Sequence, residues 1–206
     1  MAYCNWCNEN NLLQKYHQTE WGIPVHKDRK QFEYLLLEVM QCGLNFNMML
    51  QKREIFRQCF SNFDYCQIAD FNEQDVQRIL NTEGMIRSRR KIEAIINNAV
   101  CFLEIRKEYG TFSRYLWSYT DNKTVLYNHH AQGWIPASNG LSDRISRDLK
   151  KRGFKYLGSI TVYSHLQACG MINDHGIDCS RYAEINSRYP TVVRNRDHEE
   201  NVQKFR

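Results

Sequence analysis

The stretch RKQFEYLLLEVMQCGL, residues 29–44, decides the fold. Phe32, Leu35, Leu36, Val39 and Met40 recur at the three- and four-residue spacing of an α-helix, while Lys30, Glu33 and Tyr34 can fall on other faces. Gly43 ends the run, since a residue without Cβ suits the turn after a helix, and a new helix is expected to begin within 45–49. Glu38 is out of keeping with its flank of Leu35, Leu36, Leu37, Val39 and Met40. Such a carboxylate is either a recognition group or a partly exposed side chain paired with a nearby Lys or Arg.

Outward from this helix the same period returns. Asp70 or Asn72 can cap a helix through Val76, Ile79 and Leu80, and Gly84 breaks it before a periodic stretch from about Ser88 to Tyr109. Glu83-Gly84-Met85-Ile86 then joins two helices as a hairpin, whose loop can offer backbone N–H groups to a phosphate. An ordinary connection is the other reading, and the loop lacks the second glycine of the commonest DNA-binding hairpins. Further on, a short aromatic helix from Thr111 or Ser113 runs through Tyr115 and Trp117, residues 121–140 read as a loop, Ser142–Arg152 is helical up to Gly153, and 160–171 is the last strong apolar segment. Sustained strand alternation appears nowhere, so the expected fold is all-α. Residues 1–182 form the main unit and 183–206 a charged, loosely attached tail.

With 42% hydrophobic and 13% aromatic residues in a chain of 206, apolar material for a core is ample. No apolar run reaches the roughly 18 residues of a membrane span, and MAYCNWCNENN lacks the regions of a signal peptide, so a cytoplasmic protein with no membrane partner is expected. In that reducing setting the eight cysteines are not disulfides. Cys42, Cys59, Cys66, Cys101 and Cys169 read as buried small hydrophobes. The net charge of +5 is modest, but it gathers in two knots, Arg87, Arg89, Arg90 and Lys91, then Arg147, Lys150, Lys151, Arg152 and Lys155. Either a solvated helix face or a polyanion partner accounts for such knots.

Cys4 and His17 near one end, with His175 and Cys179 near the other, are zinc-type ligands whose joint use is to tie the termini together. His175 and Cys179 lie one helical turn apart or across a tight turn. The gap from Cys4 to His17 fits no zinc finger, and Cys7 or His26 compete as ligands on spacing alone. Two thiolates and two imidazoles would fill all four positions and leave none for a reacting water, so the metal would be structural.

These residues, together with Glu20-Trp21-Gly22, Lys52-Arg53-Glu54, Leu116-Trp117-Ser118, Leu149 through Lys155, Gln167-Ala168 and Asn173-Asp174-His175, resemble the 3-methyladenine DNA glycosylase I family, a branch of the helix-hairpin-helix glycosylases. The likeness covers about residues 1–182. It implies an all-helical fold with its helix-hairpin-helix part within about 25–118 and a structural Zn2+ on Cys4, His17, His175 and Cys179. It further implies a monomeric, monofunctional enzyme of base excision repair that hydrolyses the glycosidic bond of 3-methyladenine in double-stranded DNA. By the same resemblance, Glu38 is the recognising and catalytic glutamate, and Trp6, Tyr16, Trp21, Phe46 and Ser164 form the base pocket. Gly43 and Leu44 would press into the duplex where the nucleotide leaves the stack. Gly84, Ile86, Arg87 and Arg89 would meet the DNA backbone.

Three positions depart from the family pattern. Phe46 stands where a tryptophan is usual, Leu13 where a tyrosine is common, and His165 where an aromatic hydrocarbon is typical. Phe46 keeps a stacking face with less area and no N–H. His165 either lines the pocket, where its charge would oppose a cationic base, or is hydrogen-bonded outside it. An altered lesion preference on the same fold, or a zinc-stabilised DNA-binding module without catalysis, are the competing readings.

Overall fold

The computed structural model describes residues 4–128, 130 and 134–194. A 3-10 turn at Asn5–Glu9 precedes helices α1 (Asn11–Thr19), α2 (Asp28–Gln41), α3 (Phe46–Gln51), α4 (Arg53–Cys59), α5 (Tyr65–Ala69), α6 (Glu73–Asn81), α7 (Arg89–Tyr109) and α8 (Phe112–Trp117). Strand β1 (Thr124–Tyr127), helices α9 (Gly140–Lys151), α10 (Ser159–Ala168) and α11 (Ser180–Arg188), and strand β2 (Thr191–Arg194) complete the order.

Helix α2 is the axis of the molecule. Every residue from Gln31 to Met40 is buried, because α3, α7, α8 and α10 all pack on it. The sequence left Glu33 and Tyr34 free to face elsewhere, but both are buried, and so they need partners. Glu33 accepts from Arg53 Nε at 2.7 Å, and the Tyr34 hydroxyl donates to Glu20 at 3.2 Å. Gln31 donates to the Val25 carbonyl at 2.7 Å, and its Oε1 lies 2.8 Å from His165 Nε2. Arg53 also grips both oxygens of Glu20 at 2.7 Å. Burial pushes the Glu20 carboxyl up, yet the bonds from Arg53 and Lys30 outweigh it and hold the group at about 2. This network pins the start of α2 to the end of α1.

Helix α6 begins where the sequence places it. Asn72 accepts from Gln74 N at 2.8 Å while Asp75 accepts from Asn72 N at 3.1 Å, a reciprocal cap that satisfies two otherwise orphaned donors. Residues 82–88 then turn the chain into α7, and Lys52 Nζ ties this turn down by donating to the Gly84 carbonyl at 2.5 Å.

Three expectations need correction. The fold is predominantly helical but carries a two-stranded parallel pairing of β1 with β2, in the register Val125 to Val192, where loop and tail were expected. The supposed loose tail is ordered through α11 and β2 as far as Arg194, and residues 195–206 lie outside the described residues. Of the five cysteines read as buried, Cys59 and Cys169 are so, Cys42 and Cys101 are half-buried, and Cys66 is exposed.

Candidate functional site

The chain ends meet at Cys4, His17, His175 and Cys179. Cys4 opens the N-terminal 3-10 turn, His17 sits in the last turn of α1, and Cys179 caps α11 across a tight turn from His175. Their four donor atoms all lie within 4.8 Å of one another. Cys179 Sγ is 3.5 Å from both His17 Nε2 and His175 Nδ1, Cys4 Sγ is 3.7 Å from His175 Nδ1, and the two nitrogens are 3.1 Å apart. A tetrahedral ion with N and S ligands spaces its donors at about 3.3–3.8 Å, and the distances from Cys179 to both imidazoles and from Cys4 to His175 fall in that range while the two nitrogens sit slightly closer, so the set needs only a small adjustment to surround such an ion. Cys7 instead turns to donate to the Cys4 carbonyl at 3.0 Å, and His26 packs on Trp117, which removes both competitors.

The electrostatics agree with that fit. Burial lowers His17 to about 4 and His175 to about 3, leaving both imidazoles in the neutral form that binds metals. Burial likewise pushes the Cys4 thiol up to about 12, with Cys179 adding to the rise, so paired thiolates here require a cation. His175 Nε2 lies 3.2 Å from the Trp21 carbonyl, which orients the ring and presents Nδ1 to the cluster. The cluster can therefore hold a metal ion.

Beside it opens a cavity of about 320 Å³. Trp6, Tyr16, Trp21, Glu38, Phe46 and Ser164 all line it, so every residue expected at the pocket is gathered there, from five separate elements and the turn after α1. Trp6 meets Trp21 at 5.1 Å and Tyr16 at 6.5 Å, and Phe46 meets Tyr16 at 5.0 Å between ring centroids. The aromatic wall is built directly on the ligand cluster: Trp21 lies 4.5 Å from the His175 ring, and Trp6 lies 5.5 Å from that of His17.

Glu38 completes the wall. It is 6% exposed, and no group among the described residues donates to its carboxyl oxygens. Of the buried polar side chains on α2, Gln31 and Glu33 are matched within the protein and Glu38 is not. Desolvation alone therefore raises its carboxyl from 4.5 to about 8. An unmatched buried carboxylate facing a cavity is a mark of a functional group.

Four further residues, Gln41, Ile135, Gln167 and Ala168, share the lining and were not anticipated. Gln41 lies three residues after Glu38 on one helix, a spacing that puts both on one face. Gln167-Ala168 was among the segments carrying the family resemblance, but Ile135 offered no signal. Leu13 and His165 lie outside the lining. The two readings of His165 resolve to a hydrogen-bonded histidine, held neutral because burial lowers it to about 3.

A second cavity, of about 340 Å³, adjoins the first through Glu38, Gln41 and Ser164 and is bordered by Gly43 and Leu44. Leu44 is 38% exposed, on the turn that Gly43 makes with φ +78°. Lys91 Nζ fixes this turn by donating to the carbonyls of Met40 at 2.6 Å and Cys42 at 2.7 Å. The basic knots are thus not all free. Arg89 pairs with Glu73 at 2.6 Å and Glu93 at 3.1 Å, and Arg152 with Glu108 at 2.6 Å and Asp148 at 2.9 Å. Exposed Arg87, beside Gly84 and Ile86 in the α6–α7 turn, makes no ion pair among the described residues.

A family model described as methyladenine glycosylase matches residues 6–182 of this chain. The chain belongs to the methyladenine glycosylase family. It is 40% identical over 182 residues to DNA-3-methyladenine glycosylase 1 of Escherichia coli (strain K12), covering 88% of this chain and 97% of that protein. A crystal structure of a 3-methyladenine DNA glycosylase I matches with a TM-score of 0.82 and 41% identity, over 87% of this chain and 98% of that one. A variant of such a glycosylase in complex with 3-methyladenine matches with a TM-score of 0.82 and 32% identity, over 87% and 97% of the two chains. This methyladenine glycosylase is accordingly a DNA repair enzyme that releases 3-methyladenine from DNA.

Proposed function

We propose that this glycosylase flips 3-methyladenine out of damaged double-stranded DNA into the cavity and reads it with Glu38. The unmatched carboxyl of Glu38 carries the reading. Methylation at N3 places positive charge on the base and weakens its bond to deoxyribose, so the leaving group needs little help from an acid. An ionised Glu38 attracts that cation and accepts from its exocyclic amine, while the faces of Tyr16, Trp21, Trp6 and Phe46 favour a flat cation over a neutral base. Normal adenine gains less from both. Ser164 borders both cavities, although its hydroxyl turns back to the Ile160 carbonyl at 3.3 Å.

Hydrolysis is the reaction class, with water attacking the sugar carbon as the base departs. Among the described residues no lysine lines the cavity, and strand cleavage through a Schiff base needs such an amine. Leu44 on the Gly43 turn is the wedge that replaces the lost base in the stack. The α6–α7 turn meets the backbone through Gly84, Ile86 and Arg87, and Arg89 joins it if phosphate displaces its carboxylate partners. Cys4, His17, His175 and Cys179 hold a structural Zn2+, whose contribution is to fix the aromatic wall. The protein acts as a monomer in the cytoplasm, a location that suits eight unbonded cysteines. No helix among the described residues is long and apolar enough to cross a membrane.

The test is release of free bases from N-methylated duplex DNA by the zinc-loaded protein, resolved by chromatography, with Glu38→Gln beside it. Release of 3-methyladenine by the wild type and its loss in the variant are expected. Undiminished release by Glu38→Gln removes Glu38 from the chemistry.

A further inference from the structure

The charge of Glu38 attracts 3-methyladenine and 3-methylguanine alike, so telling them apart falls to the hydrogen bonds made at the edge of the base. A second polar group on the pocket wall, Gln167, is held in a way that can tell them apart. Its Nε2 donates to Asp174 Oδ2 at 2.8 Å. Asp174 is 1% exposed, and the same oxygen accepts from the Tyr163 hydroxyl at 2.6 Å, while Oδ1 lies 2.7 Å from His130 Nδ1. A carboxylate only accepts, so the nitrogen of the Gln167 amide is the end that faces Asp174. The opposite end, Oε1, makes no hydrogen bond among the described residues and is not sealed from solvent, on a residue that lines the cavity. Turning the amide over would set that oxygen against the Asp174 carboxylate, so its orientation is locked.

We propose that Gln167 is a specificity-determining residue, a fixed acceptor for the exocyclic amine of the flipped base, and that Asp174 is the positioning residue that keeps it so. This assignment rests on the base pocket proposed above. With Glu38 and Gln167 both accepting, the two hydrogens of an adenine N6 amine each find a partner. A guanine presents the O6 lone pairs at the same edge and meets acceptors only. Its carbonyl is then desolvated without a donor, which a site built on hydrogen bonds rejects.

The experiment measures kcat/KM for release of 3-methyladenine and of 3-methylguanine from the same methylated duplex DNA. Gln167→Met keeps the length of the side chain and removes the acceptor. Release of 3-methyladenine is expected to fall roughly ten- to hundredfold while 3-methylguanine release holds or rises, so that their ratio drops at least about tenfold. Asp174→Asn, checked for metal content and melting because His175 is adjacent, lets the amide turn and is expected to lower the ratio likewise. Adding it to Gln167→Met should change the ratio no further. A purely structural role lowers both releases together and leaves the ratio intact, and that result in either folded variant overturns the assignment. If the wild type releases no 3-methyladenine, the pocket reading itself fails. Normal wild-type release with an unchanged variant ratio sinks only the role of Gln167.

Discussion

Replacing Glu38 by Gln should make the protein more stable at neutral pH, even as it removes activity. In the unfolded chain this carboxyl ionises above 4.5, whereas in the fold it keeps its proton to about 8 because burial leaves it no donor. Between those values the folded state binds more protons than the unfolded one, so stability falls as pH rises from 4.5 towards 8 and stays lowered above it. Each pH unit in that window costs about 1.4 kcal/mol, which puts the penalty near pH 7 at about 3 kcal/mol. Glutamine has the shape of the neutral acid and does not titrate, so it escapes the penalty. For a chain of this length the gain corresponds to a melting temperature higher by about 6–12 °C. The assay is urea unfolding of the zinc-loaded wild type and Glu38→Gln from about pH 5 to pH 7.5, where every other titration is common to both. The difference between them should grow from under about 1 kcal/mol at the acid end to about 3 kcal/mol near neutrality. A difference that stays flat across this range would show that Glu38 ionises in the fold without cost, and the argument from its isolation would be refuted.

Other outcomes follow from the same geometry. Because Glu38 must shed a proton to meet a cationic base, kcat/KM for 3-methyladenine should climb up to about tenfold per pH unit below about pH 8 and level off above it; a profile already flat between pH 6 and 8 counts against Glu38 as the reader. A strong chelator should remove about one zinc per chain, shift the fluorescence of Trp6 and Trp21, which pack on His17 and His175, and abolish excision; unchanged fluorescence after metal loss would separate the cluster from the pocket wall. Gly22→Ala places a Cβ 2.8 Å from His175 Nε2 at φ +78°, and should cost on the order of 1–3 kcal/mol and weaken metal retention. Gly43→Ala meets nothing within 4 Å and should show the conformational cost alone, about 1–2 kcal/mol, with metal content intact.

The helices with strong caps and periods were legible because their signals are local. Asn72, Gly84 and Gly153 mark boundaries that the fold respects within one to three residues, at the start of α6 and the ends of α6 and α9. The strands were not, since TVLY and TVVR are four residues each, too short to show a period, and pair far apart in sequence, Thr124 with Thr191. The burial of Glu33 and Tyr34 was hidden for a related reason: α2 is surrounded, and Arg53 and Glu20, which satisfy them, are distant in sequence. For the site, residue types at spacings across the chain narrowed the ligands only partly, and family likeness chose among Cys4, Cys7, His17 and His26. The geometry agrees with that choice, since Cys7 turns towards the Cys4 carbonyl. Gln167 went unread because its meaning lies in which end of the amide Asp174 captures, a fact of orientation that a sequence does not express.

The metal cluster and the isolated carboxylate belong to one physical problem. A pocket for a flat cation needs an acid with no partner of its own, and an acid without a partner weakens the fold around it. Every partner brought close enough to relieve Glu38 would also compete with the base for it. The fold keeps its compensations one step away: Arg53 satisfies Glu20 and Glu33 rather than Glu38, and Lys91 satisfies the carbonyls at the end of α2. The aromatic wall cannot supply rigidity, since Trp6, Tyr16 and Trp21 come from the chain's first 21 residues, beside a short helix and a turn. A metal ion held by Cys4, His17, His175 and Cys179 would tie that segment down and fix the wall from behind, where two thiolates would offset the ion's charge and leave the carboxylate that faces the cavity unneutralised.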